Sequence, residues 1–282
     1  MKKLFFAFAS ILLLINSACD NNTSTETGIV ETQDSLKEDN TMVVLDTAGM
    51  MEIDGIRVLP LKGSPEFSDA ALEVNLPEEN AKVKSGEVTF NYVVKNYQLK
   101  KQTPNPSCNQ CNNSKDGQHI HLILNNEPYI AIYDTTYKKN LKDGQYVALS
   151  FLSRSYHESL KHFGAYDLRQ FTVGKTNDKP TDLSKPLLFY SRPKGEYAGE
   201  FTQNILLDFY VLNTDLSANG KKVRATINGK EFLLNKWQPY VIQGLPLGES
   251  TVKLELIDEN GELVDSPMNS IERKITLKQA AS

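Results

Sequence analysis

This 282-residue sequence holds one tryptophan, three cysteines and four histidines, and several familiar signatures are missing from it. Its longest apolar run, Leu4–Ile15, covers 12 residues, whereas a helix needs about 20 to cross a bilayer. There is no Gly-rich phosphate loop and no serine in a GxSxG elbow, so nucleotide chemistry and serine hydrolysis lose their usual motifs. No spacing pairs two acids for glycoside chemistry. Base is not in excess either: the formal net charge is −4 and no basic stripe is present, which argues against nucleic acid as a partner. Helical periodicity is nearly absent, and only Ser155–Phe163 reads as a short surface helix or turn. An apolar content of 40% with 9% aromatic residues still suffices for ordinary cores and rules out wholesale disorder.

Charge is unevenly placed. Residues 20–40 carry six acids and one base, while the rest of the chain after residue 18 has 29 acids against 28 bases. That acidic, Thr/Ser/Asn-rich stretch repels itself and cannot bury a core, so it reads as an extended tether. Ahead of it, Lys2-Lys3, the apolar run and Ser17-Ala18 have the layout of a secretory signal over residues 1–18. Asn16-Ser17-Ala18-Cys19 resembles the bacterial lipobox, with Asn16 where leucine is usual, and this implies acylation of Cys19. Several acyl chains at one point give stable anchoring, since each buried CH₂ contributes about 0.8 kcal/mol. The expected organisation is a signal peptide at 1–18, a lipidated Cys19 with its tether to residue 49, and a globular remainder in the bacterial cell envelope.

That remainder is predicted to be all-β. Strand-like runs include Met51–Val58, Glu87–Lys95, His119–Leu124, Tyr146–Leu152, Ile205–Leu212, Lys222–Ile227 and Ser250–Ile257, with turn signals such as Asn125-Asn126 and Asn228-Gly229 between them. Phe90–Asn96 resembles Leu207–Asn213, and His119–Asn125 matches Lys222–Asn228 in pattern, which indicates an internal duplication. The reading is two tandem immunoglobulin-like β-sandwiches, at 50–178 and 179–278, joined across the polar linker Lys175–Lys185. The first is richer in chemistry. Between Asn96 and His119 lie 22 residues, against 8 between Asn213 and Lys222, and the longer loop holds Cys108 and Cys111. All four histidines, at 119, 121, 157 and 162, also fall in the first of the two predicted sandwiches.

Alternate strand residues share a face, so His119 and His121 project together while Ile120, Leu122 and Leu124 face the core. Two readings of the Cys/His group stand. Cys108, Cys111, His119 and His121 together offer a Cys₂His₂ set for zinc or copper. Alternatively, Cys108 and Cys111 form a local disulfide that staples a polar loop beside histidines on a wet sheet face, as an oxidising envelope permits. The run His157-Glu158-Ser159-Leu160-Lys161-His162 is one residue too long for a HExxH helix, which would place its imidazoles about 140° apart. His157 can still reach the His119/His121 pair from a neighbouring loop.

Arg154 and Arg192 each follow a short apolar run and are weak candidates for anion binding, with pairing to local acids as their structural alternative. Gly117–Leu122, Asn125–Tyr129, Ser153–Ser159 and Tyr190–Tyr197 resemble a group of Bacteroidota envelope lipoproteins, some of them labelled phosphopeptide-binding. The likeness spans most of residues 55–278. It supports fold and address and implies no defined ligand residues; a phosphopeptide pocket requires Arg154, Lys161, Arg169 and Arg192 to cluster. The sequence therefore points to a non-enzymatic, lipid-anchored binding or assembly module with a protein partner in the envelope. Its alternative is a zinc- or copper-binding lipoprotein.

Overall fold

A computed structural model describes residues 49–104, 108 and 110–280. The signal segment, Cys19 and the tether to residue 48 lie outside the described residues. The strands in chain order are β1 (Met51–Ile53), β2 (Ile56–Pro60), β3 (Ala71–Leu76), β4 (Lys82–Val83), β5 (Gly86–Lys95), β6 (His119–Leu124), β7 (Ile130–Ile132), β8 (Thr136–Leu141), β9 (Gly144–Ser153) and β10 (Tyr166–Val173). They continue with β11 (Leu187–Arg192), β12 (Gly195–Ala198), β13 (Ile205–Leu212), β14 (Lys222–Ile227), β15 (Lys230–Leu234), β16 (Tyr240–Gln243), β17 (Gly248–Ile257) and β18 (Ile271–Lys278). Among the described residues the one helical element is a short 3-10 turn at Gly199–Thr202.

The strands make two sandwiches with one wiring. In the first, a sheet ordered β3-β5-β8 faces a sheet ordered β4-β10-β9-β6-β7. In the second, a sheet ordered β11-β13-β16, extended at its β16 edge by β2 and β1, faces β12-β18-β17-β14-β15. Each strand of the first has its counterpart in the second, down to a parallel edge pair, β4 with β10 and β12 with β18. The turns agree as well. Asn125 and Asn228 both adopt positive φ after β6 and β14, and their side-chain oxygens accept the amides of Val147 and Thr251. Asparagine tolerates that left-handed conformation better than most residues. A bulge falls at Val74/Leu76 in β3 and at the matching Tyr190/Arg192 in β11. The duplication is thus a property of the fold.

Two expectations need correction. Met51–Val58 is not one strand, because Asp54 and Gly55 turn the chain at positive φ into the hairpin β1–β2. Nor does that hairpin belong to the first sandwich, although it lies inside 50–178. β2 pairs with β16, and Ile56 and Val58 enter the second core beside Leu207, Phe209 and Ile242.

Each sandwich has its own core. Val88, Phe90, Ile120, Leu122, Leu152 and Phe171 anchor the first, and Leu188, Phe209, Val223, Leu254 and Ile275 the second. A third cluster joins the two. Ile123, Val147, Leu149 and Phe151, on the outer face of β6 and β9, pack against Leu187, Phe189, Tyr210 and Leu212 of β11 and β13. Sheet therefore packs on sheet between the sandwiches as well as within them. Every residue of β6, β11 and β13 is buried on both faces. Strands of that kind lose the alternation of a half-exposed strand and read as nearly unbroken apolar runs.

Candidate functional site: a buried histidine cluster

The histidines of β6 face this seam. Ile120, Leu122 and Leu124 point into the first core, as alternation requires, and His119 and His121 point the other way. That outer face is not wet, since β11 covers it and both histidines are 0% exposed. Sequence alternation fixes which side a residue takes; it does not reveal that a second sandwich covers that side.

His157 completes the group. The segment after β9 is a buried turn and not a surface helix. His157 N–H donates to Arg154 O, Arg154 N–H to Glu158 O, and Leu160 N–H back to Leu152 O. This turn sets His157 at φ +70° and carries its ring inward. One nitrogen from each of His119, His121 and His157 then lies within 4.8 Å of the other two. His119 Nε2 is 2.8 Å from His121 Nε2 and 3.1 Å from His157 Nδ1.

Tautomers follow from the partners. His119 Nδ1 is 2.8 Å from the carbonyl of Gly117 and must donate to it, which leaves Nε2 as a bare lone pair. Gly117 has φ +81°, and a Cβ there would lie 2.6 Å from the Lys101 carbonyl oxygen. Glycine is therefore required at the position that orients His119. On the other side of the cluster, His121 Nδ1 lies 3.5 Å from Ser191 Oγ of β11. Burial lowers the His119 pKa to about 4; the Gly117 bond opposes this, and Arg192 and Lys194 reinforce it. Burial first, then neighbouring imidazoles and the same two cations, also push His121 and His157 well below the usual histidine range. All three rings are neutral at neutral pH, the state a metal requires.

Around an ion with Zn–N bonds near 2.0–2.1 Å, tetrahedral ligand nitrogens sit about 3.3 Å apart. The two separations from His119 Nε2, 2.8 and 3.1 Å, need to open by about 0.2–0.5 Å, and the His121 and His157 nitrogens lie within 4.8 Å of each other. Tyr129 closes one side: its ring stacks on His121 at 3.5 Å, and its hydroxyl is 3.2 Å from His157 Nδ1. Lys194 Nζ sits 3.6 Å over the same ring and the Arg192 guanidinium 5.2 Å from it. Burial, with Arg192 and Arg273 nearby, brings the Lys194 pKa down to about 8.

The cysteines take no part in this set. Cys108 and Cys111 are joined in a disulfide, so their sulfurs have no thiolate to offer an ion, and the Cys₂His₂ set does not assemble. The disulfide packs with Leu61, Tyr156, Leu206 and Val241 in a small apolar cluster of its own.

The arginines do not form an anion site. Arg154 is buried; it pairs with Glu158 at 3.0 Å and donates to the carbonyls of Pro65 and Ser159. Lys161 pairs with Asp208, and Arg169 with Asp167 at 2.6 Å. Arg192 is buried under the histidine seam, donating to the Tyr197 hydroxyl at 3.0 Å. The four cations that a phosphopeptide pocket would require together are thus engaged separately, three with acids and Arg192 in the seam.

A pair of β-sandwiches with three buried imidazoles at their seam is what the fold and the site define. No protein-family model matches the chain, and none of the curated proteins does. Among solved structures it is similar to the fibronectin(III)-like modules of Clostridium thermocellum CbhA, at 12% identity and TM-score 0.26, covering 74% of this chain and 95% of that one. It is also similar to the N-terminal Ig1-2 module of the Drosophila receptor protein tyrosine phosphatase DLAR, at 11% identity and TM-score 0.21, covering 75% and 100%. A third is Bacteroides ovatus SGBP-B, solved with a mixed-linkage heptasaccharide, at 10% identity and TM-score 0.22, covering 73% and 47%. These likenesses are distant, and the tandem sandwich fold is established by the strand pairing itself.

Proposed function

We propose that this chain is a non-enzymatic, metal-binding protein of the bacterial envelope, anchored by lipid at Cys19 and holding one zinc or copper(II) ion among His119, His121 and His157. The observation that carries the reading is the convergence of three neutral imidazole nitrogens within 4.8 Å in a buried seam. Imidazole ligands suit zinc and copper, and a site closed by protein on all sides fits a structural or storage role better than catalysis. With both thiols spent in a disulfide, soft donors are missing and copper(I) loses its case. The signal layout, the residues before Cys19 and the resemblance to Bacteroidota envelope lipoproteins support the address.

The test is elemental analysis with a thiol count on the full-length protein purified from membranes. One ion per chain and no free thiol at Cys108 or Cys111 are expected. A His119→Ala/His121→Ala variant loses the ion. A wild-type protein that takes up no zinc or copper overturns the reading. The anchor is tested by incorporation of labelled palmitate, which a Cys19→Ala variant abolishes.

A further inference from the structure

We propose that the cleft where the two sandwiches meet, beside β10 and β13, is a binding site for a neutral glycan, with Phe163, Tyr166 and Trp237 as its aromatic surfaces. Its volume is about 640 Å³, within the roughly 300–1,000 Å³ usual for ligand sites, which favour junctions between domains. Phe163, Tyr166 and Asp167 come from the first sandwich, and Thr214, Asp215 and Trp237 from the second. Tyr210 ties the two walls together, packing edge-on 5.4 Å from Tyr166 and 5.3 Å from Trp237. The Trp237 indole N–H turns inward to Phe209 O at 2.9 Å, so the part of the ring left uncovered is carbon. Walls fixed in this way spare a ligand the cost of ordering them. Phe163 stands apart from every other surface residue of its kind. It is 96% exposed, whereas the other large apolar side chains at the surface of the described residues are 39–54% exposed, and it has no ring contact within the fold.

Charge and hydrogen-bonding capacity select the class of ligand. Among the described residues no lysine, arginine or histidine lines the cleft. Asp167 is neutralised by Arg169 at 2.6 Å, whereas the Asp215 carboxylate has no partner among the described residues. An anion would meet that carboxylate with no cation to offset it. The Tyr166 hydroxyl and Thr214 Oγ1 are likewise unengaged by the described residues. Aromatic rings beside free hydroxyl and carboxylate groups suit a pyranose. Its weakly positive C–H face rests on the negative face of a ring, and its hydroxyls donate to carboxylate oxygens in charge-assisted hydrogen bonds. A wholly apolar ligand, such as a lipid chain, would cover those polar groups and leave them unpaired.

The experiment runs full-length protein in detergent on native gels cast with dextran, laminarin, mannan, galactan or xylan, or with the anionic polygalacturonate. Emission of Trp237, the only tryptophan, is followed as each polysaccharide is added in solution. At least one of the neutral polysaccharides is expected to retard the protein and shift the emission, and polygalacturonate to do neither. Phe163→Ala and Asp215→Ala each weaken that binding by about tenfold or more, with the melting temperature unchanged. Retardation by none of the neutral polysaccharides overturns the proposal, and an emission shift with polylysine instead would make the cleft a site for cationic peptide. Retardation that both variants leave intact, or that polygalacturonate alone produces, overturns it as well.

Discussion

Phe151→Ala probes the seam that makes the site possible. Phe151 lies on the outer face of β9 and is 0% exposed, with its ring 4.5 Å from Tyr210 of the second sandwich and 5.1 Å from His121. Truncating a buried phenylalanine costs about 3–5 kcal/mol, and the aromatic pairs it makes place the loss toward the upper part of that range. Taking about 4 kcal/mol at 2–4 °C per kcal/mol for a chain of this size, the melting temperature falls by about 8–16 °C. Urea unfolding followed by far-UV ellipticity and by tryptophan fluorescence measures the effect. Trp237 is the only tryptophan; it donates to Phe209 O and packs 5.3 Å from Tyr210, so its emission reports the seam. Phe163→Ala is the control, since the same ring is removed from a position 96% exposed and should change stability by no more than about 0.5 kcal/mol. A loss below about 1.5 kcal/mol for Phe151→Ala would refute the claim that the sandwiches are joined by a packed interface. Separate ellipticity and fluorescence transitions in the wild type would refute it too.

Other outcomes follow from named contacts. Lys161→Met strips the buried Asp208 carboxylate of its ammonium partner and should cost about 3–5 kcal/mol in urea unfolding. A Lys161→Met/Asp208→Leu double variant should recover most of that loss. Reducing the Cys108–Cys111 bond opens a loop of only four residues, so the loss should be about 2 kcal/mol with metal content unchanged. A metal lost on reduction would return the cysteines to the ligand set. Burial pushes the Glu255 carboxyl up, but Lys253 and Arg224 outweigh it and hold it below the ordinary range. Because the folded value is depressed, this stabilisation is complete above the ordinary glutamate pKa and disappears as pH falls through the folded value. The stability gap between wild type and Glu255→Gln, read from urea midpoints, should therefore be full at neutral pH and close only as pH falls below the ordinary glutamate range.

Much of the architecture was legible because period-2 alternation and turn residues act locally. The Asn125 and Asn228 turns, the β6/β14 match and the division of β6 into a core face and a histidine face all follow from residues within a few positions of one another. The site was legible only in half. His119 and His121 share a strand face by geometry, whereas His157 arrives through a turn whose shape depends on Arg154 and Glu158 pairing in a buried place. The seam left a signal that alternation alone passes over. Val147–Leu152, Leu187–Tyr190 and Ile205–Leu212 are nearly unbroken apolar runs, whereas Lys222–Ile227 alternates, and unbroken runs mark strands buried on both faces. The pairing of β2 with β16 had no local signature at all, because partners so far apart in the chain meet only in the finished fold.

That pairing decides how the molecule can be taken apart and how it must assemble. A cut in the polar linker at Lys175–Lys185 would not release two intact modules. The C-terminal fragment would keep β16 as a bare edge and lose Ile56 and Val58 from its core. The N-terminal fragment would carry the hairpin with nothing to pair. During synthesis the hairpin emerges early and waits for about 180 further residues before β16 exists, a closure whose entropy must be met late and slowly. A shortened version that behaves as one module would need the hairpin rejoined to residue 187 by a new link, with the whole first sandwich removed as an insert.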